Sequence, residues 1–250
     1  MKRRGCLLIG LAALAAVVAM AASWIVIDLL PAHHPYSGNW QQDAAGASQV
    51  TVTVQADGVG ATLTQDGSSQ VTVAMSGSYT GRVPQVSVTR SGADVTVTAG
   101  CSDDCSGHLQ ITVPAGLAAQ VNTGDAGIQA KGLTGRLDLT TGLGGVEVDQ
   151  SSGPLTVRST GGGVTLADSS APNAEVTTDG AVSASFTAAP ASLKVTTGYG
   201  GVDLKVPHDA TYHVDAQSSW SSPSVSLPNT ATDAPHSVVV KTTRGDIMVH

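Results

Sequence analysis

The chain is 250 residues long, enough for one membrane-tethered domain or two small ones, and its 41% apolar content is too high for a disordered segment. Only 12% of its residues are charged, 3% are aromatic, and the net charge is −7. Such a chain offers neither the basic footprint nor the stacking platforms that nucleic acid requires, so nucleic acid is excluded as a partner.

Lys2, Arg3 and Arg4 precede 23 uncharged residues, Gly5 to Ile27. As a helix this run would span about 34 Å, against a hydrocarbon core of about 30 Å. Trp24 suits the far interface, and Asp28 falls where its carboxylate reaches water. Residues 1–30 therefore read as a cytoplasmic tip and one transmembrane helix. The basic residues keep the N-terminus inside and place the rest of the chain outside the cell membrane. Ala19-Met20-Ala21 has the small-x-small pattern of a signal-peptidase site, which leaves cleavage after Ala21 as the alternative. Cys6 precedes the apolar run and reads as a small helix residue. From 31 to 48 the chain has no periodicity and reads as a flexible linker, with His33 and His34 lacking a third metal ligand nearby.

Residues 49–114 hold short alternating segments, among them Val50-Thr51-Val52-Thr53-Val54, Val71-Thr72-Val73, Val95-Thr96-Val97 and Ile111-Thr112-Val113. Alternation with period two predicts strands. Their irregular spacing predicts atypical N-terminal coils or a small capping sheet. Cys101 and Cys105 bracket a short turn, and outside the cytosol a disulfide is the expected product. A zinc site using Cys101, Cys105 and His108, with Asp103, is the alternative.

From residue 120 onward one pattern recurs. Gly127-Ile128-Gln129-Ala130, Gly145-Val146-Glu147-Val148, Gly163-Val164-Thr165-Leu166 and Gly201-Val202-Asp203-Leu204 form one series, whose first two steps are 18 residues. Leu137-Asp138-Leu139, Leu155-Thr156-Val157, Ala174-Glu175-Val176 and Leu193-Lys194-Val195 form a second, with steps of 18, 19 and 19. Each unit reads apolar, polar, apolar, so its alternate side chains face opposite ways. A unit this short cannot close its own core, and stacking coil upon coil solves the problem. The expectation for 49–250 is an all-β, single-stack parallel β-solenoid, a right-handed β-helix with coils of 18–19 residues. Gly127, Gly145, Gly163, Gly201 and Gly245 are its expected corner glycines, through positive φ or close coil stacking. Residues 207–236 read as including a long loop, before final strands at 238–240 and 247–249.

Ile111-Thr112-Val113-Pro114-Ala115-Gly116, the in-phase Thr-Gly-x-Gly-Gly-Val corners and the closing Thr242 to Val249 together resemble a bacterial envelope family called "putative adhesin", a domain of unknown function. The resemblance covers about residues 50 to 250. It implies a β-solenoid behind a single membrane helix, and it carries over no catalytic residue.

The glycine runs lack the Gly-Lys-Ser/Thr of a P-loop, and no metal-ligand spacing of the His-Glu-x-x-His kind occurs. A polysaccharide-cleaving β-helix would gather carboxylates on one outer face. The outward positions here run Gln129, Glu147, Thr165, Ser183, Asp203 and Asp138, Thr156, Glu175, Lys194, with the acids scattered. Arg244-Gly245-Asp246 spells a tripeptide that some host-cell receptors recognise, but it falls on a corner entering a strand and reads as part of the repeat. The expected function is a non-catalytic binding or scaffolding module with no cofactor, facing an envelope protein or a glycan. Self-assembly and an accessory role in envelope-stress signalling are the alternatives, and an enzyme is the least favoured.

Overall fold

The structure, a computed structural model, describes residues 33–101 and 105–250. The tip, transmembrane helix and cleavage site expected within 1–30 lie outside the described residues. Among the described residues no helix is long and apolar enough to cross a membrane. Pro35–His250 forms one compact unit.

The N-terminal strands are β1 (His34–Asp43), β2 (Gln49–Gln55), β3 (Val59–Asp66), β4 (Gln70–Tyr79), β5 (Gln85–Ser91), β6 (Asp94–Gly100) and β7 (Cys105–Pro114). Regular coils follow: β8 (Ala118–Asn122) and β9 (Ile128–Lys131), β10 (Leu137–Thr141) and β11 (Val146–Asp149), β12 (Leu155–Ser159) and β13 (Val164–Ser169). The next are β14 (Asn173–Thr178) and β15 (Val182–Phe186), then β16 (Ser192–Thr197) and β17 (Val202–Lys205). The last are β18 (Tyr212–Ser218), β19 (Ser224–Val225), β20 (His236–Thr242) and β21 (Ile247–Val249).

Two sheets face one another. An 11-stranded sheet A runs β1-β4-β7-β3-β9-β11-β13-β15-β17-β21-β19, and a 10-stranded sheet B runs β18-β20-β16-β14-β12-β10-β8-β2-β6-β5. Pairing from β8 to β17 is parallel and in register apart from one shift after Leu166 in β13, with Leu137 opposite Leu155 and Val146 opposite both Ile128 and Val164. The 18-residue step of the sequence is thus one rung. Alternation sends Leu139, Val157, Val176, Val195, Val148 and Leu204 inward, where each is fully buried. Each such side chain contributes roughly 1.5–3 kcal/mol of burial.

Residues 34–43, expected within the flexible linker, instead form β1 beside β4. Tyr36 and Trp40 pack against the core, and Tyr36 meets the Tyr79 ring edge-on at 6.4 Å. The signal was hidden because only half-buried aromatics and a glycine carry the strand, without Val or Ile. Within 207–236 the chain is also more ordered than expected. Strand β18 adds a complete rung to sheet B, and β19 adds a short one to sheet A.

Coil order in space departs from coil order in the sequence at both ends. β2 and β3, the first coil, lie between β8–β9 and the later β6–β7. β20 and β21, the last coil, lie between β16–β17 and the earlier β18–β19. Antiparallel strands β4 and β5 then close the N-terminal side, with β1 outside β4.

A glycine file and a hydroxyl file hold the corner before sheet A. A Cβ on Gly144, Gly162, Gly180, Gly200 or Gly245 would overlap the carbonyl of Ala126, Gly144, Gly162, Gly180 or Gly200, respectively, on the coil beneath. The same carbonyls accept hydrogen bonds from buried hydroxyls: Thr141 to Ala126 (2.9 Å), Ser159 to Gly144 (3.0 Å), Thr178 to Gly162 (2.6 Å), Thr197 to Gly180 (2.7 Å) and Thr242 to Gly200 (3.2 Å). Coil stacking thus forces glycine at one position and a hydroxyl at another, because a buried carbonyl needs a donor. Of the expected corner glycines, Gly245 belongs to this file. Gly127, Gly145, Gly163 and Gly201 stand one residue later, where a Cβ would lie 3.2 to 3.5 Å from a neighbouring carbonyl. None of the five has positive φ, so close stacking, and not backbone handedness, is what constrains the corner.

Positive φ in the repeat occurs at the far ends of sheet A strands: at Gly132 (68°) and Gln150 (53°), just after β9 and β11, and at Asp168 (50°), in the register shift near the end of β13. Gln150 is exposed, and an L-residue in this region carries about 1–2 kcal/mol of strain that glycine does not. Gln150→Gly should therefore stabilise the protein by roughly 0.5–1 kcal/mol once the lost chain entropy is subtracted, read as an upward shift of the urea midpoint.

Tyr212 on β18 is the largest fully buried side chain, and its hydroxyl donates to the Pro207 carbonyl at 2.9 Å. Desolvation, with the Asp209 charge second, raises its ionisation above the ordinary phenol range. The unfolded chain then loses this proton first as pH rises past about 10, so stability should fall across that alkaline window. Tyr212→Phe should flatten the fall while costing about 1 kcal/mol at neutral pH, checked by urea titrations at several pH values.

Candidate functional site

The outward positions of the two sheets form the files expected from the spacing. Gln129, Glu147, Thr165, Ser183 and Asp203 stand in register along sheet A, and Met248 on β21 continues the line. Asp138, Thr156, Glu175 and Lys194 do the same on sheet B. Carboxylates on these faces are tied to bases on neighbouring rungs: Glu175 to Lys194 at 3.0 Å, Asp138 to Arg158 at 3.5 Å and Asp149 to Lys131 at 3.0 Å. The Lys194 ammonium lowers the Glu175 ionisation range, and the Asp149 carboxylate raises that of Lys131. These exposed pairs align neighbouring rungs more than they stabilise the fold.

Large exposed apolar side chains are few and unevenly placed. They are Leu143, Tyr199, Trp220, Val225, Met248 and Val83, and all but Val83 lie on sheet A or its leading corner. At that corner one turn position, three residues before the first inward residue of each sheet A strand, points to solvent. Successive rungs place there Leu143, Gly161, Asp179, Tyr199, Arg244 and Trp220. Tyr199 is 67% exposed and Trp220 is 74% exposed. Between their rungs lies that of Arg244, whose guanidinium sits over the Tyr199 ring, 5.7 Å from its centroid.

Immediately past this corner the outer face of sheet A sinks into a groove of about 680 Å³. Thr165, Ser183, Asp203 and Met248 line its floor, and Ser222 and Ser224 border it. Small residues at Gly163, Ala181 and Gly201 create the depression. The groove crosses β13, β15, β17, β21 and β19, about 19 Å at the usual strand spacing. Asp203 accepts from His250 Nε2 at 2.9 Å at one flank.

The sequence matches the Toastrack DUF4097 family over residues 40–250. The chain belongs to that family. Three solved structures are similar to this Toastrack DUF4097 chain. A putative cell adhesion protein from Clostridium sporogenes ATCC 15579 aligns with TM-score 0.43 at 11% identity, covering 86% of this chain and 99% of that one. Putative adhesins from Bacteroides fragilis NCTC 9343 and Parabacteroides merdae ATCC 43184 align with TM-score 0.36 each, at 13% and 12% identity. They cover 88% and 85% of this chain, and 99% and 96% of their own. No curated protein matches the sequence.

Within this Toastrack domain the remaining candidates fall into place. Cys101 and Cys105 form a disulfide with Cα atoms 6.2 Å apart, which spends both thiolates that a zinc site would need. His108 faces the Thr62 hydroxyl at 2.8 Å, and Asp103 lies outside the described residues. Arg244-Gly245-Asp246 is a stacked corner, with Gly245 pressed on Gly200 and Arg244 held over Tyr199. Tyr199, Trp220 and Met248 escaped the sequence reading. For Tyr199 and Trp220 the available signal was a large aromatic at the turn phase that Gly161 and Asp179 hold on other rungs, and for Met248 an apolar residue at an outward strand position.

Proposed function

We propose that the chain is a non-catalytic binding or scaffolding module of the bacterial cell envelope, held at the outer side of the cell membrane by the apolar run 5–27. The observation that carries this reading is the exposed apolar surface of Tyr199, Trp220, Val225 and Met248 on sheet A and its leading corner, next in sequence to a groove whose floor includes Met248. In a chain with 3% aromatics, two rings exposed on one corner have no folding role, and apolar patches of this kind mark contact surfaces. The Cys101–Cys105 disulfide supports an address outside the reducing cytosol. A photocrosslinking residue at Ser222 of the full chain, in intact cells, should capture a specific partner, whereas one at Thr156 on sheet B should not. Equal labelling from both positions would sink the reading, as would no capture from Ser222 by a chain that also binds no glycan.

Self-assembly is a second reading, favoured by the terminal strand β5, which ends sheet B, whereas β18 at the other end already has the start of its outer edge paired by residues 229–231. Size analysis of the purified protein tests it: a strict monomer at high concentration removes it.

A further inference from the structure

We infer that the groove on sheet A and its Tyr199–Arg244–Trp220 corner bind a neutral, linear glycan lying along the solenoid axis. This deepens the binding-module reading and rests on it.

Four observations select this occupant. First, the register of the strands they lead into sets Tyr199 and Trp220 two rungs apart at the corner, roughly 9.6 Å at the usual strand spacing. A linear sugar chain presents apolar C–H faces at a regular interval, and two exposed rings set at a fixed distance are what such a chain stacks on. Arg244, over one face of Tyr199, holds that ring in place and leaves it largely exposed.

Second, the groove surface is mainly apolar, with Met248 on its floor, and a few short oxygen-bearing side chains converge on it: Thr165, Ser183, Asp203, Ser224 and Asp246. An apolar floor with a few placed hydroxyls and carboxylates meets both the C–H face and the hydroxyls of a sugar.

Third, the groove lies on a sheet face and not at a sheet edge. Backbone groups of β13, β15, β17 and β21 are spent in rung-to-rung pairing. An extended peptide laid there would bring N–H and C=O groups that the floor cannot ladder with, and leaving them unpaired is costly. A glycan's hydroxyls are instead met by side-chain oxygens of the lining.

Fourth, charge decides between glycans. Asp246 and Asp203, the latter bonded to His250, stand in the groove, with Arg244 held over Tyr199 at the corner, on a chain of net charge −7. A uronate or phosphate polymer would be repelled, and a neutral one is not.

The test titrates the full chain with neutral linear oligosaccharides of four to six sugars, built from β-linked glucose, N-acetylglucosamine, galactose or mannose. Oligogalacturonate serves as the anionic control. Binding is followed by calorimetry and by tryptophan emission, since Trp220 is largely exposed. At least one neutral oligosaccharide should bind and shift that emission. Trp220→Ala and Tyr199→Ala should each weaken it at least about tenfold with circular dichroism unchanged, while Leu143→Ala, three rungs from Tyr199 on the same column, should leave it intact. The inference is overturned if no neutral oligosaccharide binds, if oligogalacturonate binds as well, or if both aromatic variants bind like the parent. Should the sugars fail while Ser222 still captures a protein, only the glycan assignment falls. If both fail, the binding-module reading falls with it.

Discussion

Gly162→Ala should destabilise the protein by at least about 3 kcal/mol, measured by urea unfolding, although it adds only one methyl group. The new Cβ would stand inside the contact distance of the Gly144 carbonyl on the coil beneath. That carbonyl cannot retreat, because it also accepts the Ser159 hydroxyl at 3.0 Å, and the Ser159 hydroxyl in turn receives the Gly162 N–H at 2.9 Å. Moving one coil breaks both bonds and lifts the parallel pairing of β11 with β13, in which Val146 and Val164 are partners. The strain is shared by the rungs above, since Gly180 rests on Gly162 in the same way. Gly67→Ala is the matching control. No heavy atom lies within 4 Å of the Cβ it would add, and its φ is not positive, so its effect should stay within about 0.5 kcal/mol. If the two variants unfold alike, the glycine file is not what sets the coil spacing.

The repeat was legible because its physics is local. Inward Val and Leu at period two, with a glycine step every 18 residues, leave one arrangement that buries them. Pairing order was not legible. Val50-Thr51-Val52 and Val95-Thr96-Val97 carry the same pattern, and spacing alone does not say which of them β8 will choose; the structure pairs it with the first. β1 escaped because Tyr36, Gly38 and Trp40 bury only part of their surface, so no alternation of Val or Ile marks it. The corner glycines were located to within one residue, since consecutive glycines such as Gly144 and Gly145 look alike until the coil below is placed. The binding surface was the least legible part. Tyr199 stood inside a glycine corner and Trp220 inside a serine-rich stretch, and only the rung register puts them on one column.

Deleting residues 247–250 should cost roughly 3–6 kcal/mol, a large share of the total for a domain of this size. The last residues of a domain are dispensable only where nothing ties them down. Here β21 lies between β17 and β19, with Val202 opposite Ile247, and with Met248 opposite Asp203 on one side and Ser224 on the other. Ile247 is 2% exposed and Val249 is fully buried, so the deletion uncovers Val202 and Leu204 as well as removing two core side chains. It also strips the floor of the groove of Met248 and orphans β19, whose only sheet partner is β21. Val225→Ala in β19 is the comparison: that residue is 41% exposed, and its truncation should cost less than about 0.5 kcal/mol. The measurement is the urea midpoint and slope of the full chain and both variants. A truncated chain that keeps the parental slope and midpoint would place β21 at an edge, and with it the groove floor would lose its rigid support.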